Sequence, residues 1–161
     1  MKKFKDFTLE NYLNVLSKKV PVPGGGSAAA LTAALGAALV TMVANYSKGK
    51  SKSKVIESKL SNILRQSEQI RKRLTVLIDL DAQAYLSVVK ARGKPVKIKK
   101  QALKKAASIP REVSRLCYKE MKMTPYLVKH GNQYLISDII VAADLLLAAF
   151  NSARINVEAN K

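Results

Sequence analysis

From Ser53 to Lys90 the chain contains neither proline nor glycine, and one row of positions recurs at intervals of four and three through the whole stretch. The row is Ile56, Leu60, Ile63, Ser67, Ile70, Leu74, Leu77, Asp81, Ala84 and Val88. That spacing places all ten side chains on one stripe of a helix about 55 Å long at 1.5 Å per residue. Only Ser67 and Asp81 break the apolar character of the stripe. A helix of this length is more than a compact monomer readily covers, so the expected architecture is an all-α bundle that dimerises through long helices.

Helical spacing also dominates elsewhere. Leu9, Tyr12, Leu13 and Leu16 share a face of a short helix expected over about Thr8 to Lys18. The prolines of Val20-Pro21-Val22-Pro23 then enforce an extended segment, and Gly24-Gly25-Gly26-Ser27 leads into an uncharged helix with Ser27 as the expected N-cap. Within it Ala29, Ala33 and Ala37, with Thr32 and Gly36, form a ridge without bulk, along which another helix can approach closely. The uncharged run from Ala28 to Ala44 is short and alanine-rich for a membrane span, and a buried helix accounts for it better. Beyond Gly93 and Pro95 a helix is expected from about Lys99 to Ser108, with Pro110 either opening a new helix or kinking a continuous one. Pro125 marks a bend, His130-Gly131 a stop, and a final helix runs from Ser137 or Asp138 to about Arg154. No strand pattern and no internal repeat is visible, and residues 1–161 form a single domain by this reading.

Composition narrows the function classes. With Cys117 alone, an internal disulfide and the usual cysteine zinc sites are excluded, and a reducing, cytoplasmic setting is expected. Lys and Arg total 29 against 11 acidic residues, a net charge of +18, which favours an anionic partner. The lysine runs at Lys48 to Lys54 and Lys90 to Lys105 lack the interleaved aromatics that stack on bases, so a solvated face explains them as well as nucleic acid does.

Few residues are equipped for chemistry. Asp81 lies on a buried stripe, where lost hydration raises a carboxyl pKa toward neutrality and suits it to proton transfer; a salt bridge to a lysine is the alternative. Asp79 is expected to point elsewhere, into solvent. Three glycines before a helix expose main-chain N–H groups and admit a ligand close to the backbone, or simply connect two packed helices. Ser137 and Asp138 suit a helix start, Asn132 a turn, and Asp144 needs a partner or an exposed edge. One His and one Cys leave little scope for nucleophilic triads, and no group has metal-ligand spacing.

Val20-Pro21-Val22-Pro23-Gly24-Gly25-Gly26-Ser27-Ala28-Ala29-Ala30 resembles the opening signature of the cyclodeaminase/cyclohydrolase family. This is the helical domain found at the C-terminal end of formiminotransferase-cyclodeaminase and, on its own, as stand-alone bacterial methenyltetrahydrofolate cyclohydrolases. The similarity continues through Leu35 to Leu39, Met42 to Asn45, Asp81-Ala82-Gln83-Ala84-Tyr85, Gly131-Asn132, Ser137-Asp138 and Asn156-Val157. Gly93-Lys94-Pro95-Val96-Lys97 stands where relatives commonly carry Leu-Pro-Lys. The resemblance implies an all-α homodimer that takes a tetrahydrofolate derivative as substrate, with no separate cofactor and no metal. It implies Asp81 and Asp138 as catalytic groups, and Pro23, Gly24, Gly25, Gly26, Ser27, Asn132 and Ser137 as substrate-binding ones. The expected reaction is hydrolysis of 5,10-methenyltetrahydrofolate to 10-formyltetrahydrofolate, since no formiminotransferase segment accompanies the domain in this sequence. The alternatives are formiminotetrahydrofolate cyclodeaminase and a non-enzymatic basic helical protein that binds nucleic acid or another polyanion. The charge excess suits a polyglutamylated folate, and no membrane partner is expected.

Overall fold

The structure, a computed structural model, describes residues 3–160; Met1, Lys2 and Lys161 lie outside them. Its helices are α1 (Leu9–Leu16), α2 (Gly25–Ser47), α3 (Lys54–Lys90), α4 (Val96–Met121), α5 (Thr124–His130) and α6 (Ile136–Ala159). Short 3-10 turns cover Phe4–Asp6 and Gln133–Leu135, and no strand occurs among the described residues. Local chemistry sets the boundaries. The Thr8 hydroxyl caps α1 by accepting from the Asn11 N–H, and Ser53 does the same for α3 through Ile56. Glu57 gathers the N–H groups of Gly49 and Ser51 at 2.8 Å each, fixing the turn before α3. Gly49 and Gly93 take φ values of +80° and +75°, a region that L side chains rarely adopt. Gly131 ends α5.

Four long helices form an up-down-up-down bundle in which α2 packs on α3 and α6, and α4 closes the ring against the same two. Thr41 meets Ser67 and Ser27 meets Asp81, so α2 and α3 run antiparallel. The Arg73 guanidinium donates to both Glu112 oxygens, and Ser67 reaches Glu120, so α3 and α4 do too. The small-residue ridge of α2 does what its spacing predicts: a β-carbon on Gly36 would stand 2.8 Å from Leu146 Cγ and 3.1 Å from the Ala142 carbonyl oxygen of α6. Ala30, Ala33, Ala37, Val40, Val43 and Ala44 are fully buried, so the uncharged α2 is a core helix. α4 runs unbroken through Pro110.

Three expectations change. α3 finds its cover within the chain, between α2 and α4, so its length alone requires no second copy. Uncovered apolar surface lies on α6, where Ile140, Val141, Leu147 and Ile155 are about half or more exposed, with the exposed Asp144 among them on the same face. Second, Asp79 is buried rather than solvated: its Oδ1 accepts the Phe4 N–H at 2.6 Å, while Oδ2 has no partner. A straight helix drifts about 20° per heptad against a four-three repeat, and by Leu77 the buried face of α3 has turned onto Ile78, Asp79 and Ala82. Third, Ser27 is not an N-cap. Gly24 holds that position and Ser27 lies in the first turn, its hydroxyl 3.0 Å from the Tyr12 hydroxyl.

Ser67, the other polar place on the stripe, belongs to a core network. Its hydroxyl bonds Thr41 Oγ1 at 2.8 Å and the Ala37 carbonyl at 3.1 Å, and it is in very short contact with Glu120 Oε1. Glu120 is fully buried, and its Oε2 has no partner.

Candidate functional site

The N-terminus of α2 faces the last third of α3 across a cleft of about 240 Å³. Pro21, Val22 and Gly24 to Gly26 form one wall; Asp81 and Tyr85 of α3, Ala106 of α4, and Asn156 and Asn160 of α6 form the rest. The extended Val22-Pro23 segment, whose peptide bond is cis, carries the chain over the end of the bundle, and Pro23 itself is buried. Gly25 and Gly26 occupy the first helical positions, where an N–H has no acceptor within its own helix. Ala28 is the first residue of α2 whose N–H returns to the helix, at Gly24.

Asp81 is the one carboxyl among the residues that line this cleft. Burial pushes its carboxyl up to about 6, against the opposing pull of the Ser27 main-chain N–H. No ion pair holds it among the described residues, so the alternative of a lysine salt bridge is not realised. The carboxyl reaches the helix end because Gly26 has no side chain: a β-carbon there would stand inside contact distance of the Asp81 carboxyl carbon and both oxygens. The glycine run is therefore a seat for a carboxylate as much as a ligand surface. Gly26→Ala is expected to displace that carboxyl and lower turnover at least tenfold (about 1.4 kcal/mol of barrier) while far-UV circular dichroism stays that of the parent.

The expected site residues divide into two groups. Gly24, Gly25, Gly26 and Asp81 line the cleft; Pro23 and Ser27 stand behind it, and Ser27, with no exposed surface, meets no substrate through its side chain. Asn132, Ser137 and Asp138 lie at the other end of the bundle. Asn156 follows Asp138 by eighteen positions along α6, about 27 Å along the axis. Asn132 borders a second cavity of about 240 Å³ with Ser47, Lys50, Ser51, His130 and Gly131. There its main-chain N–H donates to Ser47 Oγ at 2.8 Å, and its side chain accepts from Tyr134 N–H. Ser137 is exposed and Asp138 half-buried in the first turn of α6, neither acting as the helix cap.

Tyr85, Asn156 and Asn160 are cleft residues not singled out as a site by sequence. Tyr85 follows Asp81 by four places and so shares its face, a signal available from spacing alone. Asn156 and Asn160 repeat that four-residue step at the end of α6; the Asn156 amide faces Gly25 across the cleft. Among the described residues no three His, Cys, Asp or Glu side chains stand together to hold a metal. The cleft offers one carboxyl, two amides, a phenol and free main-chain N–H groups, a set suited to proton transfer on a neutral or cationic organic ligand.

Comparison with known proteins gives the same picture. Residues 8–161 match the family model described as formiminotransferase-cyclodeaminase. A methenyltetrahydrofolate cyclohydrolase of Methylorubrum extorquens is 37% identical over 95% of this chain and 78% of its own length. A formimidoyltransferase-cyclodeaminase of Gallus gallus is 31% identical over 92% of this chain, which spans only 29% of that larger protein. The crystal structure of a formiminotetrahydrofolate cyclodeaminase from Thermotoga maritima superposes with a TM-score of 0.93 at 31% identity, covering 98% of this chain and 80% of the other. The helical bundle thus has its counterpart in a solved structure, and this chain belongs to the formiminotransferase-cyclodeaminase family.

Proposed function

We propose that the protein hydrolyses 5,10-methenyltetrahydrofolate to 10-formyltetrahydrofolate. The observation that carries this reading is the Asp81 carboxyl, half-buried, without a cation partner among the described residues and seated against Gly26 beside the Ser27 main-chain N–H. As a carboxylate it takes a proton from the water that adds to the methenyl carbon. It returns that proton to N5 as the carbon–N5 bond breaks and the carbinol hydroxyl releases its own proton to solvent, leaving the formyl group on N10. The same charge stabilises the cationic carbon before attack, and the N–H groups of Gly25 and Gly26 orient the incoming oxygen. The similarity to the Methylorubrum cyclohydrolase supports this choice. The close superposition on the Thermotoga cyclodeaminase favours a second reading, ring closure of 5-formiminotetrahydrofolate with loss of ammonia, in which protonated Asp81 donates to the departing amine.

Completion of the site by a second copy belongs to the same proposal. A cleft of about 240 Å³ is smaller than the roughly 300–1,000 Å³ of typical small-molecule sites. Antiparallel pairing of the exposed apolar face of α6 with its copy would cover Ile140, Val141, Leu147 and Ile155. It would also bring Asp138 and Asn132 toward the partner's Asn156 at the cleft. A separate groove of about 390 Å³ lies farther along α3 and α4, with Lys90, Lys94 and Lys105 on its walls. These cations suit the glutamate tail of a cellular folate, held in a salt-sensitive way. A cytoplasmic setting accords with the single, buried Cys117.

The test follows the absorbance of 5,10-methenyltetrahydrofolate at a pH where spontaneous hydrolysis is slow, with sedimentation run on the same sample. Accelerated loss of absorbance by a dimeric species is expected. Ammonia release from 5-formiminotetrahydrofolate without hydrolysis would transfer the protein to the second reading. Neither activity, with duplex DNA binding that falls steeply with salt, would overturn both.

A further inference from the structure

A chain of contacts leads from the N-terminal segment to the cleft. Phe4 is pinned to α3 by its N–H bond to Asp79, two residues before Asp81. The Phe4 ring stands edge-on to Tyr12, with centroids 6.4 Å apart, and Tyr12 is almost wholly buried. The Tyr12 hydroxyl bonds the hydroxyl of Ser27, which has no exposed surface. The Asp81 carboxyl lies against this same first turn, where a β-carbon on Gly26 would stand inside contact distance of its oxygens, and the adjoining Ser27 main-chain N–H favours its ionised form. Burial raises the Tyr12 pKa, and Asp81 raises it further, so the phenol stays neutral through the working pH range. Neither Tyr12 nor the Ser27 side chain lines the cleft.

We propose that Tyr12 is a positioning residue for Asp81, fixing the first turn of α2 through the Ser27 hydroxyl so that the Ser27 N–H stays aimed at the carboxylate. The inference rests on Asp81 as the proton-transferring group. The first turn of α2 is Gly25-Gly26-Ser27, the most permissive backbone a helix start can have. Its glycines make room for the carboxyl but supply no side chain to hold the turn, and the Tyr12–Ser27 bond supplies that restraint from outside the helix. α1 and the 3-10 turn before it then serve the site as a clamp without touching substrate.

The experiment titrates the Asp81 carboxyl by carbon-13 NMR in the ligand-free protein, comparing the parent with Tyr12→Phe, Ser27→Ala and the double variant. Rate measurements across pH accompany the titration. Phenylalanine keeps the ring against Phe4 and removes only the hydroxyl. Tyr12→Phe is expected to raise the Asp81 midpoint by about half a pH unit, because a loosened N–H bond stabilises the carboxylate less. The kcat/KM midpoint should move with it, kcat should fall roughly three- to tenfold, and KM should stay within about twofold. Ser27→Ala should do the same, and the double variant no more than either single one, because the two hydroxyls form one link. A lowered melting temperature with an unmoved Asp81 midpoint would show that Tyr12 only packs, and would overturn the inference. Should Asp81→Asn retain the parent rate, the catalytic reading of Asp81 fails instead, a result separable from the titration of the carboxyl itself.

Discussion

Asp81→Asn is expected to lower kcat for methenyltetrahydrofolate hydrolysis about 100-fold, the usual worth of a positioned general base. Asparagine keeps the shape of the side chain and can still accept the Ser27 N–H bond, so helicity and the fit of α2 on α3 should persist. In the parent, kcat/KM should rise about tenfold per pH unit below the Asp81 midpoint of about 6 and level off above it, because the ionised carboxyl is the active form. If the reaction is instead ring closure with loss of ammonia, the protonated form acts and the profile falls above the same midpoint, so the slope distinguishes the two chemistries. Stability should move the opposite way. The folded-state carboxyl titrates above its ordinary value of 3.8, so its contribution to stability is full below that value and lost as pH rises through about 6. Asparagine has no proton to lose, so the variant should be the more stable protein at pH 7. A substitution that stabilises the fold while abolishing turnover marks a residue kept for its chemistry. Parent-like rates in Asp81→Asn would remove the carboxyl from the mechanism.

Much of this arrangement was legible in the sequence, and what was not has physical causes. The four-three row placed Leu60, Ile63, Ile70, Leu74 and Leu77 in the core, and the small residues of α2 foretold the close approach at Gly36. A strict repeat carried past Leu77 misses the rotation of a straight helix, which is why Asp79 was expected in solvent and is buried. Ser27 looked like a cap because a hydroxyl after three glycines is a common helix start; the helix begins earlier because Gly24 can cap without a side chain. Asp81 and Asp138 are paired only by the family resemblance, and the order of motifs along the chain says nothing of the helix length that separates them. Glu120 was hidden by its neighbours: between Lys119 and Met121 it looks like surface, although Ala106, Pro110, Val113, Cys117 and Glu120 continue a four-three row. Following that row through a charged residue would have found it.

Glu120→Gln is expected to remove a pH dependence from the stability of the fold. Glu120 lies in the core, bonded to Ser67 through one oxygen, with the other unpartnered and no ion pair to it among the described residues. Ser67 of α3, Thr41 of α2 and Cys117 of its own helix bring no positive charge to it, and burial pushes the Cys117 thiol up to about 12, so that group stays neutral. Burial likewise pushes the Glu120 carboxyl up to about 7 from its ordinary 4.5, against the smaller pull of the Ser67 hydroxyl. Below pH 4.5 the group is neutral in the folded and unfolded chains alike. As pH rises toward 7 the unfolded chain gives up its proton while the folded chain keeps it, so unfolding becomes progressively easier; above 7 both are ionised and the loss is complete. A displacement of that size corresponds to about 3 kcal/mol, enough to matter in a fold of ordinary marginal stability. Glutamine preserves the volume, can accept the Ser67 hydroxyl through its amide oxygen as the acid does, and cannot ionise. Urea unfolding of parent and variant at pH 5 and pH 8 should therefore give similar stabilities at the lower pH and a clear advantage to Glu120→Gln at the higher. A parent that loses no more stability than the variant between those two values would show that the carboxyl finds a compensating partner on ionisation, and that the Thr41–Ser67–Glu120 network is not the neutral chain of hydrogen bonds its geometry describes.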